Sequence, residues 1–282
     1  MAGRPTRIAW TRSLGAACHS APVPEVHGRL GIPAMEPRWL IRPGDVVFEG
    51  RRILVFGPHP DDFDVIAVTL RRAAWNGASI DLAVMTTGAN GVDDEDFPGL
   101  DRAGKAELRQ SEQVASCAAF GLPRARQHYL RLDEGPTGEL TVDDRSLGIV
   151  HELLSRRVPD LVVLPHPNDP NRAHQRTFLL VRQALEACGS GAILLLNCDP
   201  KTLEIRLDLG VTFNAAEAEW KGSLLRQHDS QQRRNMRTRG RGLDTRILEL
   251  NAGLARRIGS AAYAEAFEVR SPTADQVLNW RP

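Results

Sequence analysis

The sequence predicts an α/β protein with a mostly parallel sheet and helices on both of its faces. Three observations carry that prediction. Short apolar runs alternate with segments of helical spacing from about Arg52 to Asn197. The runs are nearly continuous in apolar residues, as strands covered on both faces are, and do not alternate with polar ones. Loops rich in His and Asp follow two of the runs, at the carboxyl ends where open α/β sheets bind their ligands.

Residues 1–45 mix Pro, Gly, His and Arg without a period and read as an N-terminal extension; the domain is expected over residues 46–282. RILVF, Arg52 to Phe56, is a strand closed by Gly57 and Pro58. DVIAVTLRRAAWNG, from Asp64, has helical spacing and stops at Gly77, a residue suited to the left-handed position after a helix. IDLAVMTT from Ile80 is the next strand, and AELRQSEQVASCAAFG a helix ending at Gly121. RQHYLRL reads as a strand and SLGIVHELLSRR as a helix. DLVVLPHP repeats the design of the first strand, an apolar run closed by Pro-His-Pro. The helix AHQRTFLLVRQALEA and the strand AILLLN follow, after which the pattern loosens. AEAEWKGSLLRQH still reads as a helix, AEAFEVR as a closing strand, and the basic stretch from Arg233 to Gly240 as a solvated loop.

Lys and Arg number 36 against 35 Asp and Glu, a formal net charge of +1, so no overall field draws the chain to nucleic acid or an anionic membrane. A small molecule is the expected partner; a homo-oligomer is compatible with the sequence. Cys18, Cys117, Cys188 and Cys198 lie far apart with no CxxC, a usage that fits reduced thiols. No apolar run approaches the ~20 residues that span a bilayer, and the expected location is cytoplasmic.

The chemistry gathers at the strand ends. His59, Asp61, Asp62 and Asp64 follow the first strand; His166, Asp169 and His174 follow the DLVVL strand. A three-residue step lets His59 and Asp62 converge, with Asp61 pointing elsewhere. Two such ligands and one His from the other loop give an N, N, O set, the ligand class of catalytic zinc with a position open to water, and a second carboxylate beside that water can take its proton. Asp62 and Asp64 also sit where a carboxylate caps a helix, and Asp64 is read as such a cap. His19, His27, His128 and His151 stand alone and are read as surface residues. A phosphate loop is disfavoured: GPHPDD lacks the glycine spacing, and its carboxylates repel phosphate.

With PHPDD after the first strand and PHPND with a downstream His after a later one, the chain from about Arg51 onward resembles the LmbE-like, or PIG-L, family of zinc-dependent N-acetylglucosaminyl deacetylases. RQSE, KGSLLRQHDSQ and YAEAFEV extend the resemblance. It implies a Rossmann-like fold, Zn2+ held by His59, Asp62 and His174, Asp61 as general base, and Arg109 as a substrate contact. The implied reaction removes an acetyl or related acyl group from an amino sugar such as an N-acetylglucosamine conjugate. Two departures stand out. Phe63 occupies the Glu position of HPDDE, and Asn171 occupies the first His of D-x-H-x-x-H, the residue that polarises the carbonyl or stabilises the oxyanion. Asn can donate a neutral hydrogen bond there but cannot become charged, and His166 is the nearest His able to compensate. An amidase on another small-molecule amide conjugate and a catalytically weak sugar-binding homologue are the alternatives this leaves open.

Overall fold

The computed structural model describes residues 37–135, 137–259, 262–271 and Pro282. Eight strands form one sheet: β1 (Trp39–Ile41), β2 (Arg52–Gly57), β3 (Ser79–Val84), β4 (Gln127–Tyr129), β5 (Leu161–Pro165), β6 (Ile193–Asn197), β7 (Leu209–Phe213) and β8 (Tyr263–Arg270). Their spatial order is β1-β7-β8-β6-β5-β2-β3-β4. All pairings are parallel except those of β8, which runs antiparallel to both β6 and β7. The helices are α1 (Ala67–Trp75), α2 (Arg102–Phe120), α3 (Asp144–Arg157), α4 (Arg172–Ala187), α5 (Ala215–Leu225), α6 (Asp229–Arg239) and α7 (Leu243–Ile258).

The apolar runs become the central strands because burial on both faces suits them: every residue of β5, and all of β2 after Arg52, is buried. Leu54, Phe56, Val162, Leu164 and Leu196 of the sheet close a core with Val150 and Leu154 of α3 and Leu180, Val181 and Leu185 of α4. Each of these side chains contributes about 1.5–3 kcal/mol by leaving water. From β2 the chain moves outward to β3 and β4, then returns to β5 on the other side of β2. The gap between β2 and β5 is therefore the point where the strand order reverses, and a crevice opens there beyond the carboxyl ends. The two loops that sequence reasoning singles out leave these two strands.

Several elements differ from expectation. Trp39–Ile41, inside the segment read as an extension, pair with Leu209–Val211 as an edge strand; residues 1–36 lie outside the described ones. The RQHYLRL strand shortens to Gln127–Tyr129. Asp229–Arg239 form a helix and not a solvated loop, with Gly240 at φ 69° ending it. Strand β7 and helix α7 emerge where the pattern had loosened. Among the described residues no helix is long and apolar enough to cross a membrane.

A buried ion pair ties the later elements to the first crossover. Glu265 of β8 and Lys221 of α5 are both almost fully buried, 2.7 Å apart. Burial holds the Lys221 amine below its ordinary pKa, and Glu265 opposes that shift. The Glu265 carboxylate also accepts the backbone N–H groups of Val68 (3.1 Å) and Thr69 (2.8 Å), so a strand nearly two hundred residues away caps α1, which has no side-chain cap of its own. Lys221 donates further to the Val65 carbonyl and, at 2.9 Å, to Asn251 of α7. Removing one partner of a buried pair costs about 3–5 kcal/mol. Glu265→Ala is expected to lower the urea-unfolding free energy by at least about 3 kcal/mol. Adding Lys221→Met should recover only part of that loss, because the α1 amides stay unpaired; full recovery would show that the capping contributes nothing.

Candidate active site

The loop between β2 and α1 is built by close approach. Gly57 leaves room for Asp62, whose Cβ would lie 3.2 Å from a Cβ added there. Asp62 Oδ2 then accepts the His59 backbone N–H at 2.7 Å and stands 3.5 Å from His59 Nδ1. From the second loop, His174 Nε2 reaches to 3.8 Å from Asp62 Oδ1. The His59 and His174 rings sit 5.6 Å apart at 43°. Two ligands each about 2.0–2.2 Å from a tetrahedral Zn2+ lie roughly 3.4 Å from one another. The spacing of the three side chains, whose donor atoms fall within 4.8 Å, fits that requirement, and the N, N, O donor set fits zinc chemistry.

A buried carboxylate stands behind the His174 ring. Asp169, 1% exposed, stands 2.9 Å from His174 Nδ1, the carboxylate-histidine arrangement that leaves Nε2 for a metal. Burial disfavours the charged His174 ring, but Asp169, Asp62 and Asp199 around it prevail and push its pKa up to about 9. Asp62 is held well below the usual carboxylate range: burial works against this, and the two histidines outweigh it. Asp199, at the carboxyl end of β6, is raised by burial and by the neighbouring Asp169 and Asp62, against the pull of His174. Asp169, His174 and Asp199 form a second group with metal-ligand spacing. Sequence reasoning missed Asp199, although its place after AILLLN is the same strand-end signal that marks the other two loops.

Asp61 occupies a backbone conformation, φ 137°, that side-chain-bearing residues rarely adopt. Such a residue costs about 1–3 kcal/mol and persists only where its surroundings over-determine it. Helix α2 does so: Gln113 Oε1 accepts the Asp61 N–H at 2.9 Å, and Arg109 donates to the Pro60 carbonyl and, at 3.1 Å, to Asp61 Oδ1. Arg109 is itself 2% exposed, and Glu112 stands 3.6 Å from its other terminal nitrogen. It is thus spent largely on protein groups, although it lines the cavity.

Asp64 does not cap. Its carboxylate is fully buried and accepts from His228 Nε2 at 2.6 Å and Ser116 Oγ at 2.7 Å, and the short helical turn it begins has no side-chain cap. Phe63 is fully buried edge-on against Phe120, ring centroids 5.0 Å apart, away from the cavity lining. Asn171 caps α4: its Oδ1 accepts the Ala173 N–H at 2.9 Å. That bond fixes which way the amide faces, and among the described residues its Nδ2 has no partner. His166 is buried with Nε2 3.1 Å from Glu268 and Nδ1 accepting the Asn168 N–H, outside the cavity, so it does not stand in for the missing His. His128 is half-buried 3.0 Å from Asp81 and not a free surface residue; His19 and His27 lie outside the described residues.

These groups meet in a cavity of about 510 Å³ lined by His59, Asp61, Asp62, Asn171, His174 and Asp199 on one side and by residues of α6 and α7 on the other.

Residues 54–185 match the PIG-L family, described as GlcNAc-PI de-N-acetylase. No curated protein matches the chain by sequence. Among solved structures, N,N′-diacetylchitobiose deacetylase from Pyrococcus horikoshii is similar at 19% identity and TM-score 0.66, over 82% of this chain and 87% of that one. The 4-carboxy-2-hydroxymuconate hydratase of Pseudomonas putida is similar at 17% identity and TM-score 0.62, over 81% and 99%. A deacetylase of teicoplanin biosynthesis is similar at 16% identity and TM-score 0.59, over 79% and 100%. At these identities the likeness concerns the fold, and the presence of a hydratase shows that the fold hosts more than one reaction.

Gly88, φ +65°, lies against the clamp: an added Cβ would come 2.8 Å from Pro60 Cδ and 3.3 Å from Arg109 Nε. Gly88→Ala is expected to destabilise by about 2–4 kcal/mol, from left-handed strain together with overpacking, read as a lower urea midpoint. An unchanged midpoint would mean that the Pro60 ring can move aside freely.

Proposed function

We propose that this chain, whose residues 54–185 match the PIG-L family, is a zinc-dependent hydrolase that removes an N-acetyl or related acyl group from an amino sugar such as an N-acetylglucosamine conjugate. The observation that carries this reading is the convergence of His59, Asp62 and His174 beside Asp61 at a cavity large enough for a sugar conjugate. The free thiols of Cys117, Cys188 and Cys198 support a cytoplasmic setting.

His59, Asp62 and His174 would hold the ion, with Asp169 fixing the His174 ring. A bound Zn2+ supplies Lewis acidity, lowering the pKa of water toward about 7 and polarising an amide carbonyl. Asp61 lines the same cavity with Oδ1 engaged by Arg109 and Oδ2 free of partners among the described residues, so it can accept the proton of the attacking water and return it to the departing amine. Arg109 acts as a positioning residue, aiming Asp61. Asn171, with Oδ1 committed to its helix, offers Nδ2 to the developing oxyanion as a neutral donor. The products are acetate and a free amine.

Asn171 also favours a second reading, in which the cavity binds a sugar with little turnover, since a neutral amide stabilises an oxyanion less than a charged imidazole. The two readings differ in acetate release from N-acetylglucosamine conjugates by the zinc-loaded protein. Asp61→Asn is expected to lower kcat about 10²–10⁴-fold with zinc content unchanged. Turnover equal to the parent's would remove Asp61 as base. Elemental analysis should find about one zinc per chain, lost in Asp62→Ala and His174→Ala, while Asp169→Asn weakens zinc affinity about 10–100-fold. Sugar binding without acetate release, unchanged by Asn171→His, would favour the binding protein.

A further inference from the structure

The arginines of α6, of the turn after it and of the start of α7 divide into two sets. One set has carboxylate partners: Arg233 bonds Asp229 at 2.8 Å, Arg237 meets Asp93, Glu95 and Asp96, Arg241 lies 2.6 Å from Glu249, and Arg234, which lines the cavity, stands 3.5 Å from Asp93. Arg239 and Arg246 line the cavity and have none within 4.0 Å among the described residues. Among the described residues Arg239 donates only to the Thr238 hydroxyl, at 3.0 Å. Arg246 donates to Asn235 Oδ1 at 2.6 Å. Asn235 is 5% exposed and its own amide is anchored to the Gln231 carbonyl at 2.8 Å, so the Arg246 guanidinium is held in place by a fixed neutral group. Burial lowers the pKa of half-buried Arg246, and the Arg239 charge beside it adds to that, partly offset by Asp199.

Two guanidinium groups that repel one another, one preorganised and both facing a ligand cavity, lack the anion that surface arginines a turn away have been given. The acidic groups of the cavity have other partners: Asp62 the histidines, Asp61 Arg109, Glu134 Thr87 and Arg102, Glu139 Thr137, and Asp199 the Lys201 N–H, and among the described residues none lies within 4.0 Å of either guanidinium. We propose that Arg239 and Arg246 form a subsite for an oxyanion, a carboxylate or a phosphate carried by the substrate. This rests on reading the cavity as the site of deacetylation, and it narrows the substrate class to acidic conjugates of the amino sugar. The planar fork of Arg suits both oxyanions and can engage two of their oxygens at once.

The test compares binding and turnover of three N-acetylglucosamine derivatives: the anomeric phosphate, the carboxymethyl glycoside and the neutral methyl glycoside. Calorimetry on zinc-loaded Asp61→Asn protein should show at least one acidic ligand binding about tenfold or more tighter than the neutral one, a preference that weakens with salt. The phosphate and carboxylate arms identify which oxyanion fits. Arg239→Gln with Arg246→Gln should bring the affinities together, and Arg246→Lys, which keeps the charge without the fork, should fall between. In the active protein the same preference should appear in KM more than in kcat. Equal binding of acidic and neutral ligands, a preference that survives the double substitution, or no binding of any of them or of inorganic phosphate would overturn the subsite. An anion preference without acetate release would leave the subsite standing and count against the deacetylase; acetate release without the preference would do the reverse.

Discussion

The structure depends on how the segment from Gly57 to Thr69 is clamped. Asp61 sits in a conformation that costs about 1–3 kcal/mol, between two metal-ligand candidates that must keep their spacing. Locally, the Asp61 carbonyl accepts the Asp64 N–H at 3.0 Å. Helix α2 offsets that cost with a polar stripe at helical spacing: Arg109 on the Pro60 carbonyl and Asp61, Gln113 on the Asp61 amide, Ser116 on Asp64. From the other side His228 completes the shell of Asp64, Lys221 takes the Val65 carbonyl, and Glu265 takes the first amides of α1. The segment is therefore shaped by residues up to about two hundred positions later, and the fold exists in part to bring them to it.

That explains which features were legible in the sequence. The strands of the central sheet were, because burial on both faces leaves an unbroken apolar run. The convergence of His59, Asp62 and His174 was, because loops at strand ends on either side of the reversal point face one crevice, and the residues after RILVF and DLVVL stand there. His166 obeys the same rule of position yet turns toward Glu268 on β8, a strand whose antiparallel insertion beside β6 has no local signature. Asp64 looked like a cap because its position before α1 is where caps occur; its partners Ser116 and His228 lie 52 and 164 residues away. The helix at Asp229–Arg239 was hidden by composition: nearly all its residues are polar, so it has no apolar stripe to read, and its buried face is made of Ser230, Gln231 and Asn235 instead.

The metal-ligand candidates and the unpaired arginines of the cavity come from different elements. Carboxylates and imidazoles come from the loops after β2, β5 and β6, where chain reversal lets short side chains converge on a small cation. Unpaired guanidinium groups come from α6 and α7, whose longer arms reach across the opening. A conjugate with a neutral acetamide at one part and an acid at another would match that division, whereas a neutral sugar would leave the arginines without an anion.

Asn171 shows how a substitution at such a site can be tolerated. It begins the helix that carries His174 three residues on, and its Oδ1 satisfies an amide that would otherwise lack a partner. Asn is among the best residues for this, contributing about 0.5–2 kcal/mol over a residue that cannot cap. A histidine there would be a poorer cap but a donor able to carry charge. On the proposed reading, Asn171 gives up electrostatic strength toward an oxyanion for rigidity in the element that would aim a metal ligand. That exchange is least costly where other groups already hold the substrate, because binding energy realised away from the reacting carbonyl can be used to orient it. On this reasoning the weaker donor at Asn171 and the unpaired arginines of α6 and α7 belong to one arrangement.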